Sequence, residues 1–410
     1  MTQHGAPTPI AWHARPTGLA RFLVDLMAEE LQRLRPNGWD PPSLPWSEAL
    51  FLDERGLGLD SLERMTVAAV IAEALHLHES GIEDLLLAKG RWGEWLEIAA
   101  NSLLRFDSAL TFRTSGSTGV PKACTHSLDV LRQEVEYLGT VFGSAERMLV
   151  AVPSHHIYGF LFSILLSERL NCAAVIDVRR MVPQTLRQLM RSEDLVVSHP
   201  AHWALLARHA LKFPARVVGV TSSAPCPPEL AGRLAEAGLQ RLVQVCGSTE
   251  TGGLGWREVA LGPYQLMPFW SREPGAGGSV RRTLPDGSTR LYPLQDELEW
   301  RSSRSFRIGA RLDNAVQVGG VNVFPNRVRR MLLAHPWVED AVVRLMSPLE
   351  GSRLKAFIVP KPEAPWAELG AELERWVQSR LAAAERPRSF TMGARLPVSD
   401  RSKPIDWPVR

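Results

Sequence analysis

Apolar residues recur every three or four positions from Leu19 through Phe22, Leu23, Leu26, Met27 and Leu31 to Leu34, with charges between them. This spacing predicts an amphipathic helix, which Pro36-Asn37-Gly38 and Pro41-Pro42 end. A second helix is predicted from Asp60-Ser61-Leu62-Glu63, where Asp60 can cap and Glu63 can reach back. It continues through Met65, Val67, Val70, Ile71 and Leu75, so the first hundred residues read as helical behind a Pro-rich tail, 1–16. From about residue 105 the period changes. Short β-rich runs (147–152, 173–177, 195–198, 217–221, 242–245) alternate with helical ones (127–139, 183–191, 201–211, 227–237). That alternation predicts a layered α/β sheet with ligands at strand carboxyl ends. Residues 257–310 read as strands and turns. After Asp313 comes a small α+β unit, with helices at 325–333 and 366–384 and strands at 340–344 and 354–359. The predicted fold is therefore α/β and multidomain: a tail 1–16, a helical domain 17–104, a core 105–312 and a C-terminal domain 313–410.

Composition narrows the class. A chain of 410 residues exceeds one compact core. Hydrophobic residues at 45% and charged residues at 22% are ordinary for a globular protein. A net charge of +3 with scattered arginines offers no basic face for nucleic acid. Cys124, Cys172, Cys226 and Cys246 lack CxxC spacing, which argues against a zinc site or disulfide framework and for a reducing cytoplasm. The first nine residues carry no signal-peptide pattern, and the run Gly159–Leu166 is too short to span a bilayer.

Candidate chemistry begins at Thr114-Ser115-Gly116-Ser117-Thr118-Gly119-Val120-Pro121-Lys122. Glycines let backbone N–H groups approach a phosphate closely, hydroxyls add donors, and the lysine adds a point charge. The loop follows a strand-like run, Ala109–Phe112, and suits a polyphosphate; the Walker spacing is absent.

Further segments follow in order: Pro153-Ser-His-His156-Ile-Tyr158-Gly, Ser222-Ser223-Ala224-Pro225, Gly247-Ser248-Thr249-Glu250-Thr251, Asp296, Ala310-Arg311-Leu-Asp313, Gly319-Gly320 and Lys403. Together with the loop they resemble the adenylate-forming superfamily of acyl-CoA synthetases, peptide-synthetase adenylation domains and luciferases, over roughly residues 105–410. The resemblance implies that the loop and Lys122 hold ATP phosphates, that Glu250 binds Mg²⁺, and that Thr249 lies near the α-phosphate. It further implies that Asp296 binds the ribose hydroxyls, a good match of carboxylate to diol, and that Arg311 holds the ribose and phosphate region. Lys403 would bridge the substrate carboxylate and the α-phosphate. Asp313 would be the hinge of a mobile C-terminal lid. His156 would gate the acyl pocket, lined also by Tyr158, Ser222–Ala224 and the segment beginning Cys246-Gly247-Ser248.

There are departures from the pattern. Cys246 stands where the family has an aromatic residue on adenine, Gln317 replaces a common lysine, Arg327 a common glutamate, and Ser402 a glycine. The part before the phosphate loop is much shorter than in the family. There, Gly58-Leu-Asp60-Ser61-Leu62 resembles the phosphopantetheine attachment motif of carrier proteins, although Asp-Ser at a helix start is also good capping chemistry. The expected activity is ATP-dependent ligation of a small carboxylic acid to a phosphopantetheine thiol through acyl-AMP. A small aryl acid such as a hydroxybenzoate and an acyl carrier protein are the favoured pair. Acid–CoA ligation, or a non-catalytic scaffold, are the alternatives.

Overall fold

Asp60 starts a helix because its carboxylate accepts the Glu63 backbone N–H at 2.8 Å while Glu63 accepts the Asp60 N–H at 3.0 Å. This capping box begins the second long helix of the computed structural model. The structure describes residues 12–14, 16–35, 39, 41–42, 45–114, 122–209, 211–273, 278–312, 315–319, 321–347, 350–397 and 406–409.

The helices of the first part are α1 (Pro16–Leu34), α2 (Ser61–Leu75), α3 (Leu85–Ala88) and α4 (Trp92–Arg105). Next come β1 (Ala109–Thr114), β2 (Lys122–Ser127) and α5 (Leu128–Phe142), with β1 and β2 forming a two-stranded sheet. The α/β alternation then runs β3 (Arg147–Val150), α6 (Ile157–Phe160), α7 (Ser167–Arg169), β4 (Ala174–Asp177), α8 (Pro183–Leu189), β5 (Leu195–Ser198), α9 (Pro200–Arg208), β6 (Val218–Thr221), α10 (Pro228–Glu236) and β7 (Arg241–Ser248). A π-helix, Leu161–Leu166, joins α6 to α7. Strands β8 (Gly252–Arg257), β9 (Tyr264–Leu266), β10 (Trp270–Arg272), β11 (Ser279–Thr283), β12 (Thr289–Pro293), β13 (Asp296–Trp300) and β14 (Ser305–Arg311) follow without helices.

The main sheet has nine strands in the order β13-β14-β9-β8-β7-β6-β5-β3-β4. Strands β3 to β7 are parallel, and β8 joins β7 antiparallel. β3 and β5 are buried throughout and apolar except for Arg147 and Ser198, as a parallel sheet covered on both faces favours.

The chain divides into two compact units. The first comprises Met1–Arg113, Ala123–Leu294 and Leu298–Ile308. The N-terminal helices lie inside it instead of closing a core of their own. Phe22, Met27, Val67, Ile71 and Trp95 share one apolar cluster with Phe112, Leu131, Phe160 and Val197. Trp12 meets Phe160 edge-on at 5.1 Å, and Phe22 does so at 5.6 Å. The change of period near residue 105 therefore marks a change of element type within one core, which is why a boundary at 104 does not coincide with a unit boundary.

The second unit comprises Thr114–Lys122, Gln295–Glu297 and Gly309–Arg410. It contains β15 (Val316–Val318), β16 (Val321–Val323), α11 (Pro325–Leu333), β17 (Val338–Leu345), β18 (Leu354–Pro360), α12 (Trp366–Gln378) and β19 (Ser389–Met392). Strands β17, β18 and β19 form one sheet, and Val328, Leu332, Leu369 and Leu373 cover it. The buried Lys355 ammonium on β18 donates to Glu350 at 3.0 Å and to the Trp407 carbonyl at 2.6 Å, tying residues 406–409 to the sheet. Among the described residues no helix is long and apolar enough to cross a membrane.

Candidate active site

The Gly247–Thr251 motif is shaped by a turn between β7 and β8 with a register shift at Cys246/Gly247. A Cβ on Gly247 would fall 2.0 Å from the Gly252 carbonyl oxygen, so only glycine fits there. Gly252 itself sits at φ +70°, a left-handed conformation that favours glycine. The Ser248 backbone N–H donates to the Thr251 hydroxyl at 3.1 Å, and the Thr251 N–H donates to the Ser248 hydroxyl at 3.2 Å. This reciprocal pair pins Thr249 and Glu250 at the tip, both half-buried. His126 on β2 puts Nε2 2.6 Å from the Thr249 carbonyl, and burial pushes this imidazole towards its neutral form, so Nε2–H donates.

Below the turn lies a buried support. Glu134 on α5 accepts the Gly253 N–H at 2.9 Å, and Arg282 on β11 donates to the Thr251 carbonyl at 3.2 Å and to that of Val130 at 2.7 Å. The two side chains stand 4.0 Å apart. Burial pushes the Glu134 carboxyl up to about 7, against the pull of Arg282 and the Gly253 N–H. Neither residue, nor His126, belongs to a motif in the sequence, and their signal is spatial.

Other expected residues distribute as follows. Asp296 opens β13 and Arg311 ends the neighbouring β14, and they form an ion pair at 3.8 Å. The Thr114 hydroxyl donates to the Lys122 carbonyl at 3.5 Å across the base of the loop. Ser115, Gly116, Ser117, Thr118, Gly119, Asp313 and Lys403 lie outside the described residues. Cys246 is a core residue, its thiol donating to the Gly255 carbonyl at 3.4 Å. The Tyr158 hydroxyl is also committed, donating to the Ser198 carbonyl at 2.9 Å. Ser222, Ser223 and Ala224 follow the end of β6, with Ser223 at φ +74°. The two lid substitutions find partners: Gln317 donates to Asn322 across β15–β16, and Arg327 pairs with Glu385.

His156 caps the start of α6 and is open to solvent although protein surrounds it closely. Burial, and then the neighbouring His155, push its imidazole down to about 4, so it is neutral at pH 7. Among the described residues Glu29, His155 and His156 form the one group of carboxylate and imidazole donors within 4.8 Å of one another. The Glu29–His155 ion pair at 2.8 Å accounts for that proximity without an ion. Mg²⁺ calls for oxygen ligands, and the Glu250 carboxylate beside the Thr249 hydroxyl offers them. Ser61 is exposed at the first turn of α2, where Asp60 caps and Glu63 is held by Arg35 at 2.6 Å.

The mixed sheet, the hydroxyl–carboxylate turn after β7 and, separately, the carboxylate–arginine pair on β13 and β14 are features compatible with the adenylate-forming enzymes that the sequence resembles. Residues 60–286 match the AMP-binding enzyme family, and residues 330–403 match the AMP-binding enzyme C-terminal domain. A 4-coumarate–CoA ligase of Halorhodospira halophila is 36% identical over 93% of this chain and 97% of its own length. One from Cereibacter sphaeroides is 37% identical over 99% of this chain and 100% of its own. The fold is shared with an o-succinylbenzoate CoA synthetase (MenE) from Bacillus subtilis, at TM-score 0.60 and 18% identity, over 93% of this chain and 91% of the other. The amide bond synthetase McbA from Marinactinospora thermotolerans matches at TM-score 0.60 and 17% identity, over 94% and 92%. The chain belongs to the AMP-binding enzyme family, and it is an AMP-forming acid–thiol ligase. The helix bearing Ser61 falls within the stretch matched to that family, so its Asp-Ser start belongs to the ligase, and capping is the role the structure displays for it.

Proposed function

We propose that this enzyme ligates an aromatic acid of the hydroxycinnamate type to CoA, using ATP. The near full-length similarity to 4-coumarate–CoA ligases carries this reading. It keeps the aryl acid expected from the sequence, moves it from hydroxybenzoate to hydroxycinnamate, and replaces the carrier protein with CoA. Nothing supports a phosphopantetheine on Ser61 or an acyl carrier protein as acceptor. The four cysteines are buried and none is joined in a disulfide, which supports the cytoplasm as its compartment.

In the first half-reaction a carboxylate oxygen attacks the α-phosphorus, a P–O bond forms, and the bond to the β-phosphate breaks to release pyrophosphate. In the second, the CoA sulfur gives up its proton and attacks the acyl carbonyl; a C–S bond forms, and AMP leaves. Glu250 would hold Mg²⁺, which offsets phosphate charge. Thr249 would donate towards the α-phosphate and Asp296 would accept from the ribose hydroxyls. Arg311, Lys122 and the loop 114–119 would hold ribose and phosphates, Ser248 and the Gly247 backbone would line the nucleotide, and Lys403 would bridge the carboxylate and the α-phosphate. Asp313 would serve as hinge. His156, with Ser222–Ala224 and the Tyr158 ring, would shape the acid pocket.

The test is AMP release with 4-coumarate, ferulate, hydroxybenzoates and fatty acids, each with CoA or a carrier protein. CoA-dependent AMP release with hydroxycinnamates, lost in Lys403→Ala, is the expected result. Turnover only with fatty acids, or only with a carrier protein, would overturn it.

A further inference from the structure

Arg21, Asp25 and Glu29 stand four residues apart on α1 and so form one stripe along it. All three reach the same short stretch of chain. Arg21 Nη2 donates to the Ser163 carbonyl at 3.2 Å, within the π-helix. Asp25 Oδ2 accepts both the backbone N–H and the hydroxyl of Ser154 at 2.7 Å, and its Oδ1 is 2.6 Å from Arg179. Glu29 Oε2 lies 2.8 Å from His155 Nε2. The His155 ring in turn stands 4.2 Å, centroid to centroid, from His156. The segment 154–163, which carries His156 and Tyr158, is thus held at its start and its end by one helix.

Packing alone does not call for this arrangement. α1 already buries Leu19, Phe22, Leu23, Leu26, Met27 and Leu31. Asp25 is 4% exposed, and burying a carboxylate carries a desolvation cost that apolar residues avoid. What the carboxylates add is direction: Asp25 fixes the backbone N–H and the hydroxyl of Ser154, and Glu29 sets an oxygen 2.8 Å from His155 Nε2. Against the desolvation that its close surroundings impose, His155 also holds the half-exposed Glu29 carboxyl below the usual range.

We propose that Asp25 and Glu29, assisted by Arg21, are positioning residues that set the placement of His156 for the acid substrate. This rests on the reading of His156 as an acid-pocket residue. On this reading the segment that shapes the acid pocket is set by the N-terminal helix.

Steady-state kinetics of the full chain with ATP, CoA and 4-coumarate test the proposal, with His156→Ala, Asp25→Ala, Glu29→Ala, Glu29→Gln and the exposed Gln32→Ala compared. Glu29→Ala should lower kcat/KM for the acid by about 10-fold while KM for ATP moves less than about 2-fold. Glu29→Gln, which keeps the length of the side chain and an oxygen beside His155, should recover most of that loss, and Gln32→Ala should match the parent. The double variant Glu29→Ala/His156→Ala should be no worse than His156→Ala alone. An impaired His156→Ala beside an unaffected Glu29→Ala overturns the positioning role and leaves the pocket reading standing. Equal losses towards acid and ATP, with lowered stability, also overturn it, as they mark a structural role. An unaffected His156→Ala overturns the pocket reading and the inference with it. Glu29, with its side chain 51% exposed, keeps the test valid where Asp25→Ala does not fold.

Discussion

Single side chains in this enzyme divide into those a motif announces and those only space reveals. Glu250 and Asp296 can be picked out in the sequence, and the roles proposed for them follow from type: an oxygen ligand for a hard cation and an acceptor for a diol. Glu250→Gln should reduce adenylation by about 100-fold or more, as removal of a charge-stabilising group does, measured as ATP–pyrophosphate exchange. Asp296→Ala should raise KM for ATP by about 10-fold with KM for the acid unchanged. Loss on the acid side instead would reassign it. His202 is different: no motif contains it. It is buried, its Nδ1 lies 2.8 Å from the Ser198 hydroxyl, and burial followed by His199 pushes it down to about 4. The unfolded chain binds that proton near pH 6.5, so the folded state loses stability as pH falls from 6.5 towards 4 and keeps it all above 6.5. His202→Gln should therefore flatten the dependence of the urea midpoint on pH between 4.5 and 7.5; an unchanged slope would show that other groups carry it.

At the scale of elements, local patterns were readable where the residues stay local. The helix expected at 325–333 and the strand at 195–198 are present with those bounds, because amphipathic spacing and a short β-branched run determine each. The capping box of α2 was legible because both partners lie within four positions. Strand β2, Lys122–Ser127, was not, since its polar residues read as the tail of a loop. Nor was the support of the Thr249–Glu250 turn, which joins Glu134 to a backbone N–H 119 residues later. That support should be energetically large. Glu134→Ala would leave Arg282 buried without its carboxylate, and a loss of about 3–5 kcal/mol in urea unfolding is expected. A loss under about 1 kcal/mol would mean the turn holds itself.

The whole molecule was the hardest scale to read. The helical N-terminus resembles a carrier protein because amphipathic helices and an Asp-Ser start are common to both, while helical spacing says nothing of what the apolar faces meet. Those faces meet the sheet of the first unit. In the second unit Lys355 is legible only as a lysine within an apolar strand, yet it fastens the described end of the chain. Lys355→Met should fill the same volume while taking the ammonium away from the Glu350 carboxylate and the Trp407 carbonyl. Faster proteolysis near residues 406–409 and a lower unfolding midpoint are expected, and an unchanged cleavage pattern would count against the fastening.

The bond from Ser154 to Asp25 spans 129 residues, and this separation has a consequence for recombination. A gene chimera between this enzyme and a homologue, crossed over anywhere between α1 and β3, inherits its helix from one parent and its histidine segment from the other. Such a hybrid keeps every motif intact and still separates partners that bond to each other. Crossovers placed before residue 16 or after residue 170 keep the two in one block, and they are the ones from which working hybrids should be drawn.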